Sequence, residues 1–188
     1  VSARHPEPIT DAYLLEGGPS AFLKENFGRY FAASNCAALA TGVMTAVALP
    51  LRTGQTVTSL TFVSGATAAG TPTHWWFALY SNAATPALLA QSADQTSGAW
   101  AAHTAKTLAL ATPQLVTADG IYYAAVMVTA TTPPTLEGIT LENAVAAGAI
   151  VTGMAVLAQT SGSALAASAP ATIATPTTVA TVPYVVAQ

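Results

Sequence analysis

From residue 43 onward the chain falls into short runs of period two. Val43, Thr45, Val47, Leu49 and Leu51 alternate with Met44, Ala46, Ala48 and Pro50. That pattern predicts a strand, because successive strand side chains face opposite sides. Arg52-Thr53-Gly54-Gln55 reads as a turn, and residues 56–63 are rich in β-branched side chains, with Leu60 and Phe62 facing one way. A loop marked by Gly65, Gly70 and Pro72 follows. Residues 74–80 set Trp75, Phe77 and Leu79 against His74, Trp76, Ala78 and Tyr80. Further strands are predicted over 88–91, over 106–111 and 115–116 on either side of Pro113, and over 121–129 after the Asp119-Gly120 turn. Residues 150–157 are another candidate, interrupted by Gly153, and 182–186 read as a closing strand. About eight short strands punctuated by Gly and Pro, with no long amphipathic helix, predict an antiparallel β-sandwich or barrel.

Two segments break this pattern. Residues 1–31 carry seven of the thirteen charged side chains, three prolines and the aromatic cluster Phe22, Phe27, Tyr30 and Phe31. The prolines favour an extended run. Ser20 then caps a short predicted helix in which Leu23, Phe27, Tyr30 and Phe31 fall at i, i+4, i+7 and i+8. We therefore divide the chain into an N-terminal anchoring arm, 1–40, and a sandwich domain, 41–188. The arm would dock Phe22, Leu23, Phe27, Tyr30 and Phe31 on a partner; the alternative is a terminal helix folded back on its own domain. In residues 158–180, 19 of 23 positions are Ala, Ser, Thr, Pro or Gly. Such a segment buries too little apolar surface to order itself, so it is expected to be a long surface loop laid over a neighbour.

Composition narrows the function. Charged residues are 7% of the 188, and alanine supplies 43 of the 98 hydrophobic residues, so the core must be built largely from small side chains. The net charge is −3 with five Lys and Arg, which gives a phosphate backbone little to bind and argues against nucleic acid as a partner. No window of about 18 apolar residues predicts a membrane helix. The single cysteine, Cys36, excludes an intramolecular disulfide and a multi-cysteine metal site. The first residues lack the apolar stretch of a secretory signal, so we expect either a mature form or release by another route. Few surface charges oppose association weakly, which suits a surface covered by copies of itself or by a larger assembly; GC-rich coding is the competing explanation.

Candidate chemistry is sparse. There is no nucleotide-binding glycine loop, no nucleophile elbow and no His-Glu-x-x-His zinc motif. Asp94, Ser97 and His103 share one polar loop, whereas a triad needs groups held by separate rigid elements. Glu137 and Glu142, the close carboxylate pair, read as loop residues rather than a glycosidase pair. His74 and His103 have no metal-ligand spacing. We expect no catalytic residue, cofactor or metal. Trp75 and Trp76 must face opposite sides of their strand, so at most one is expected in the sandwich core. Trp76, and Trp100 on a loop beside Gly98, are the candidate platforms for a sugar ring.

Several stretches resemble the β-sandwich virion proteins of tailed phages of actinobacteria. They are the run from Thr41-Gly42 through Pro50-Leu51-Arg52-Thr53-Gly54-Gln55, the run from Thr67 to Tyr80, Leu88-Leu89-Ala90-Gln91-Ser92, Asp119-Gly120-Ile121-Tyr122-Tyr123, residues 157–162 and Val182-Pro183-Tyr184. The likeness covers residues 41–187 and excludes the first forty. It implies a jelly-roll-like sandwich without catalytic residues, found in minor capsid or decoration proteins or in minor tail and fibre proteins. The expectation is a non-enzymatic decoration or minor capsid protein. It would be made in the host cytoplasm, be resident in the virion and form a homotrimer, with the arm on the major capsid protein. The alternative is a minor tail or fibre protein that binds host surface glycans; a secreted carbohydrate-binding module is a third reading.

Overall fold

The protein is described here by a computed structural model over residues 23–32 and 34–188. Its strands are β1 (Lys24–Glu25), β2 (Ser34–Asn35), β3 (Met44–Leu51), β4 (Thr56–Val63), β5 (Gly70–Tyr80), β6 (Leu88–Gln91), β7 (Ala105–Leu115), β8 (Gly120–Thr132), β9 (Glu137–Thr140), β10 (Ala158–Ser161), β11 (Thr177–Thr178), β12 (Thr181–Pro183) and β13 (Val185–Ala187). A single helical turn, α1 (Ala144–Ala147), and a 3-10 turn at Arg29–Phe31 complete the described elements. The strands form a six-stranded sheet in the order β11-β10-β3-β8-β5-β6, a four-stranded sheet β1-β13-β4-β7 and a three-stranded sheet β12-β9-β2. Neighbouring strands pair antiparallel throughout. The chain is therefore an all-β antiparallel sandwich.

Alternation decides which residues meet between the sheets. Val47, Leu49 and Leu51 of β3, Trp75, Phe77 and Leu79 of β5, and Tyr122, Ala124, Val126 and Val128 of β8 pack against Val57, Leu60 and Phe62 of β4 and Val185 and Ala187 of β13. Phe62 meets Phe77 across the gap at a ring distance of 4.8 Å. Each large side chain buried this way contributes about 1.5–3 kcal/mol. Small residues let strands approach closely at one point: a Cβ on Gly138 of β9 would lie 2.6 Å from Cys36 Sγ and would collide with Val182 O.

The other face of the six-stranded sheet is buried too. Met44, Ala46, Trp76, Ala78, Tyr80, Tyr123, Ala125 and Met127 form a second apolar cluster with Ile173. Its cover is the small-residue segment 162–176, which crosses its own sheet as a strap. Sheet side chains hold the strap's main chain: Trp76 Nε1 donates to Ala166 O at 2.7 Å, Tyr80 OH to Pro170 O at 2.8 Å and Thr129 Oγ1 to Leu165 O at 2.8 Å. Gln91 grips it twice, donating from Nε2 to Ala167 O at 2.7 Å and accepting from Ala169 N–H at 2.6 Å. The expected loop over a neighbour is thus an intramolecular cover. Its order comes from hydrogen-bonding partners on the sheet, which a count of its own apolar residues misses.

Other expectations are revised. The predicted helix does not form over its described part: Lys24 and Glu25 pair with Ala187 and Val186 as a sheet edge. Asn26 clamps the same strand, donating from Nδ2 to Pro183 O and accepting from Val185 N–H, both at 3.0 Å. Ladder bonds to β13 replace helical ones. The division at residue 40 also fails, since β2 pairs with β9 and Leu39 lies in the main core. Residues 150–157 form no strand, and Gly153 turns the chain at φ +91°. β7 runs through Pro113 as an edge strand, but its pairing with β4 skips residues 110–113 between Ala109 and Gln114. The closing strand divides at Tyr184, with β12 and β13 in different sheets.

Candidate docking surfaces

Of the five arm residues, Phe22 lies outside the described residues and Leu23 is half-buried. Phe27 turns inward, edge-on to Tyr184 at 5.6 Å. Tyr184 OH donates to Glu25 Oε1 at 2.7 Å, and Arg29 Nε sits 3.3 Å from the same oxygen. Burial, reinforced by that hydrogen bond, raises the Tyr184 phenol well above its ordinary pKa. This stitching fixes the root of the arm and leaves Tyr30 and Phe31 outside, 64% and 58% exposed. Their rings touch at 4.5 Å, forming one aromatic knob beside Arg29.

Sequence reasoning missed a second apolar surface. Of nine exposed large hydrophobic residues among those described, five lie between 145 and 157: Val145, Ile150, Val151, Met154 and Leu157, from 75% exposed at Val145 to 41% at Leu157. The signal was present, since residues 143–188 carry no charged side chain. Reading Ile150 and Val151 as strand residues concealed it. Grouped exposed apolar side chains of this kind mark interaction surfaces.

The proposed sugar platforms are closed. Trp76 lies beneath the strap with no exposed surface. Trp100 is buried against Trp75, stacked at 5.1 Å, with Nε1 donating to Thr104 O at 3.0 Å. Trp75 and Trp76 do face opposite sides, but a second buried face accommodates the second indole.

The titratable groups are tied into structure. Asp94 Oδ2 lies 2.6 Å from His74 Nδ1, and its Oδ1 accepts from the Trp75 and Thr96 N–H groups at 3.0 and 3.2 Å. His103 instead faces Glu137 at 3.5 Å, so Asp94, Ser97 and His103 are not assembled as a triad. Glu137 opens β9, whereas Glu142 lies beyond its end. Burial, with Glu137 adding to it, pushes the Cys36 thiol up to about 11, which suppresses the nucleophilic thiolate. No group of three or more His, Cys, Asp or Glu among the described residues is placed to hold a metal. Comparison with protein-family models and with characterised proteins finds no match, so the functional reading rests on these surfaces and the sequence resemblance.

Proposed function

We propose that this chain is a non-enzymatic structural protein of a tailed-phage virion, a decoration or minor capsid protein that binds an assembled shell. The observation that carries the assembly role is the sorting of apolar groups. Large residues are withdrawn from both faces of the six-stranded sheet, while an aromatic knob and one uncharged segment are left outside. The virion setting comes from the resemblance over residues 41–187. The arm's role narrows to Tyr30, Phe31 and the residues before 23, because Phe27 belongs to the sandwich.

The test is co-sedimentation with undecorated capsids, isolated tails and host cell walls. Saturable pelleting with capsids, lost on removal of residues 1–22 or in Tyr30→Ser/Phe31→Ser, is the expected result. Both variants keep β1, so the sandwich stays folded. Pelleting with tails or cell walls, indifferent to those changes, would move the protein to the adsorption apparatus.

A further inference from the structure

Beside the strap lies a groove of about 920 Å³, bounded by the 82–86 turn, residues 153–156 and the strap's end at 173–176. It sits where β5 ends and β8 begins, and no lining side chain is charged. Gln159 of β10 faces it. This residue is only 5% exposed, yet among the described residues its carboxamide makes no hydrogen bond. No side-chain polar atom sealed from solvent lacks a partner among the described residues, so the carboxamide opens onto the groove. Facing open space, the amide has two donors and an acceptor to offer a ligand in place of water.

The same protein shows what a carboxamide beside the strap binds. Gln91 takes one carbonyl and one N–H of an uncharged main chain, those of Ala167 and Ala169, where the strap bends. We propose that the groove binds an uncharged peptide segment of another chain, with Gln159 gripping its main chain as Gln91 grips the strap. Charge supports a neutral occupant, since a buried ion would find no counter-charge here. Met154, Val156 and Ile173 line the groove for small apolar side chains. This inference goes beyond the shell-binding role and does not rest on it.

The probe is a synthetic peptide with the sequence of residues 163–175, titrated into the ¹⁵N-labelled full chain. A saturable shift of the Gln159 side-chain NH₂, with that of Gln91 unmoved, is expected. Gln159→Leu lowers the affinity about tenfold, the loss of a buried hydrogen-bonding group. Met154→Ser, at an exposed position where the fold is safe, weakens binding by a smaller factor and keeps the test decisive should Gln159→Leu misfold. A shift at Gln91 would mean that the peptide displaces the strap, and overturns the proposal. Response to a neutral hexasaccharide but not to the peptide would make the groove a glycan site. No saturable shift with the peptide at millimolar concentration also sinks it. None of these readings involves capsids, so failure here and failure of shell binding are separate results.

Discussion

Residues 162–176 and 143–157 are chemically alike and structurally opposite. Both are uncharged and alanine-rich, with two large apolar side chains in the first and six in the second. The first lies across the sheet with Leu165, Ala169 and Ile173 turned onto the Trp76 cluster. The second leaves Ile150, Val151 and Met154 in solvent. The difference is in what lies beneath. The strap crosses a face that presents Trp76, Tyr80, Gln91 and Thr129, each aimed at its main chain, so its backbone groups are satisfied while its side chains stay small. A segment of this composition is ordered by its partner's hydrogen bonds, and among the described residues 143–157 has few such bonds to the rest of the fold.

The sharpest way to break this contrast is Trp76→Ala. It removes a fully buried indole and leaves the Ala166 carbonyl without its donor, so we expect a loss of about 3–5 kcal/mol, read as a fall in the urea midpoint. The strap should then become cleavable by protease at concentrations that spare the wild type. Unchanged stability would mean that the second cluster contributes nothing and that the strap is held elsewhere.

Gln91→Leu is the next step down. It cancels two hydrogen bonds to the strap and nothing in the main core. A cost of about 1–3 kcal/mol follows, and hydrogen exchange should quicken at Ala169 while β5 and β8 keep their protection. A uniform rise in exchange would show that strap and sandwich unfold as one unit, which would erase the distinction between them.

How much of this was legible in the sequence follows the same line. The alternation in 56–63 matches its burial, and the apolar, β-branched runs 43–51 and 121–129 mark strands, so β3, β4 and β8 were readable along with the opposite faces of Trp75 and Trp76. The strap was not, because its order is encoded in Trp76, Tyr80, Gln91 and Thr129, far away in the chain. The apolar residues of β5 and β8 fell on both faces, and a second buried face was available from that fact alone. Lys24 and Glu25 failed for a similar reason: spacing suggested a helix, while the competing edge of β13 lay about 160 residues away. The knob was half legible: spacing grouped Phe27, Tyr30 and Phe31 as one docking face, whereas Tyr30 and Phe31 lie outside and Phe27 packs inward. Gln159 gave no sequence signal, because an unpartnered amide is visible only once its neighbours are placed.

Cys36 contrasts with both segments, being a reactive group type sealed within the three-stranded edge of the sandwich. Its thiol is raised from 9.0 to about 11 by burial and then by Glu137. A raised folded-state pKa stabilises the fold fully below the unfolded value and loses that contribution as pH climbs through the folded one. Stability should therefore decline between pH 9 and 11 by more in the wild type than in Cys36→Ala, measured by melting at each pH. At pH 8 the folded thiol should react with a disulfide reagent about a hundredfold more slowly than the unfolded chain. Equal rates would place the thiol at the surface.

The smallest expected effect on stability tests the exposed member of the pair. Ile150→Ser and Val151→Ser change side chains that touch solvent, so each should shift stability by no more than about 0.5 kcal/mol. Their effect belongs in association instead. If 143–157 is a surface waiting for a partner, the double variant will sediment as smaller species than the wild type at equal concentration, or lose capsid binding while Tyr30→Ser keeps it. If instead the double variant melts several degrees lower and sediments unchanged, these residues are part of the fold in solution. The strap and its neighbour would then differ in degree of burial rather than in role.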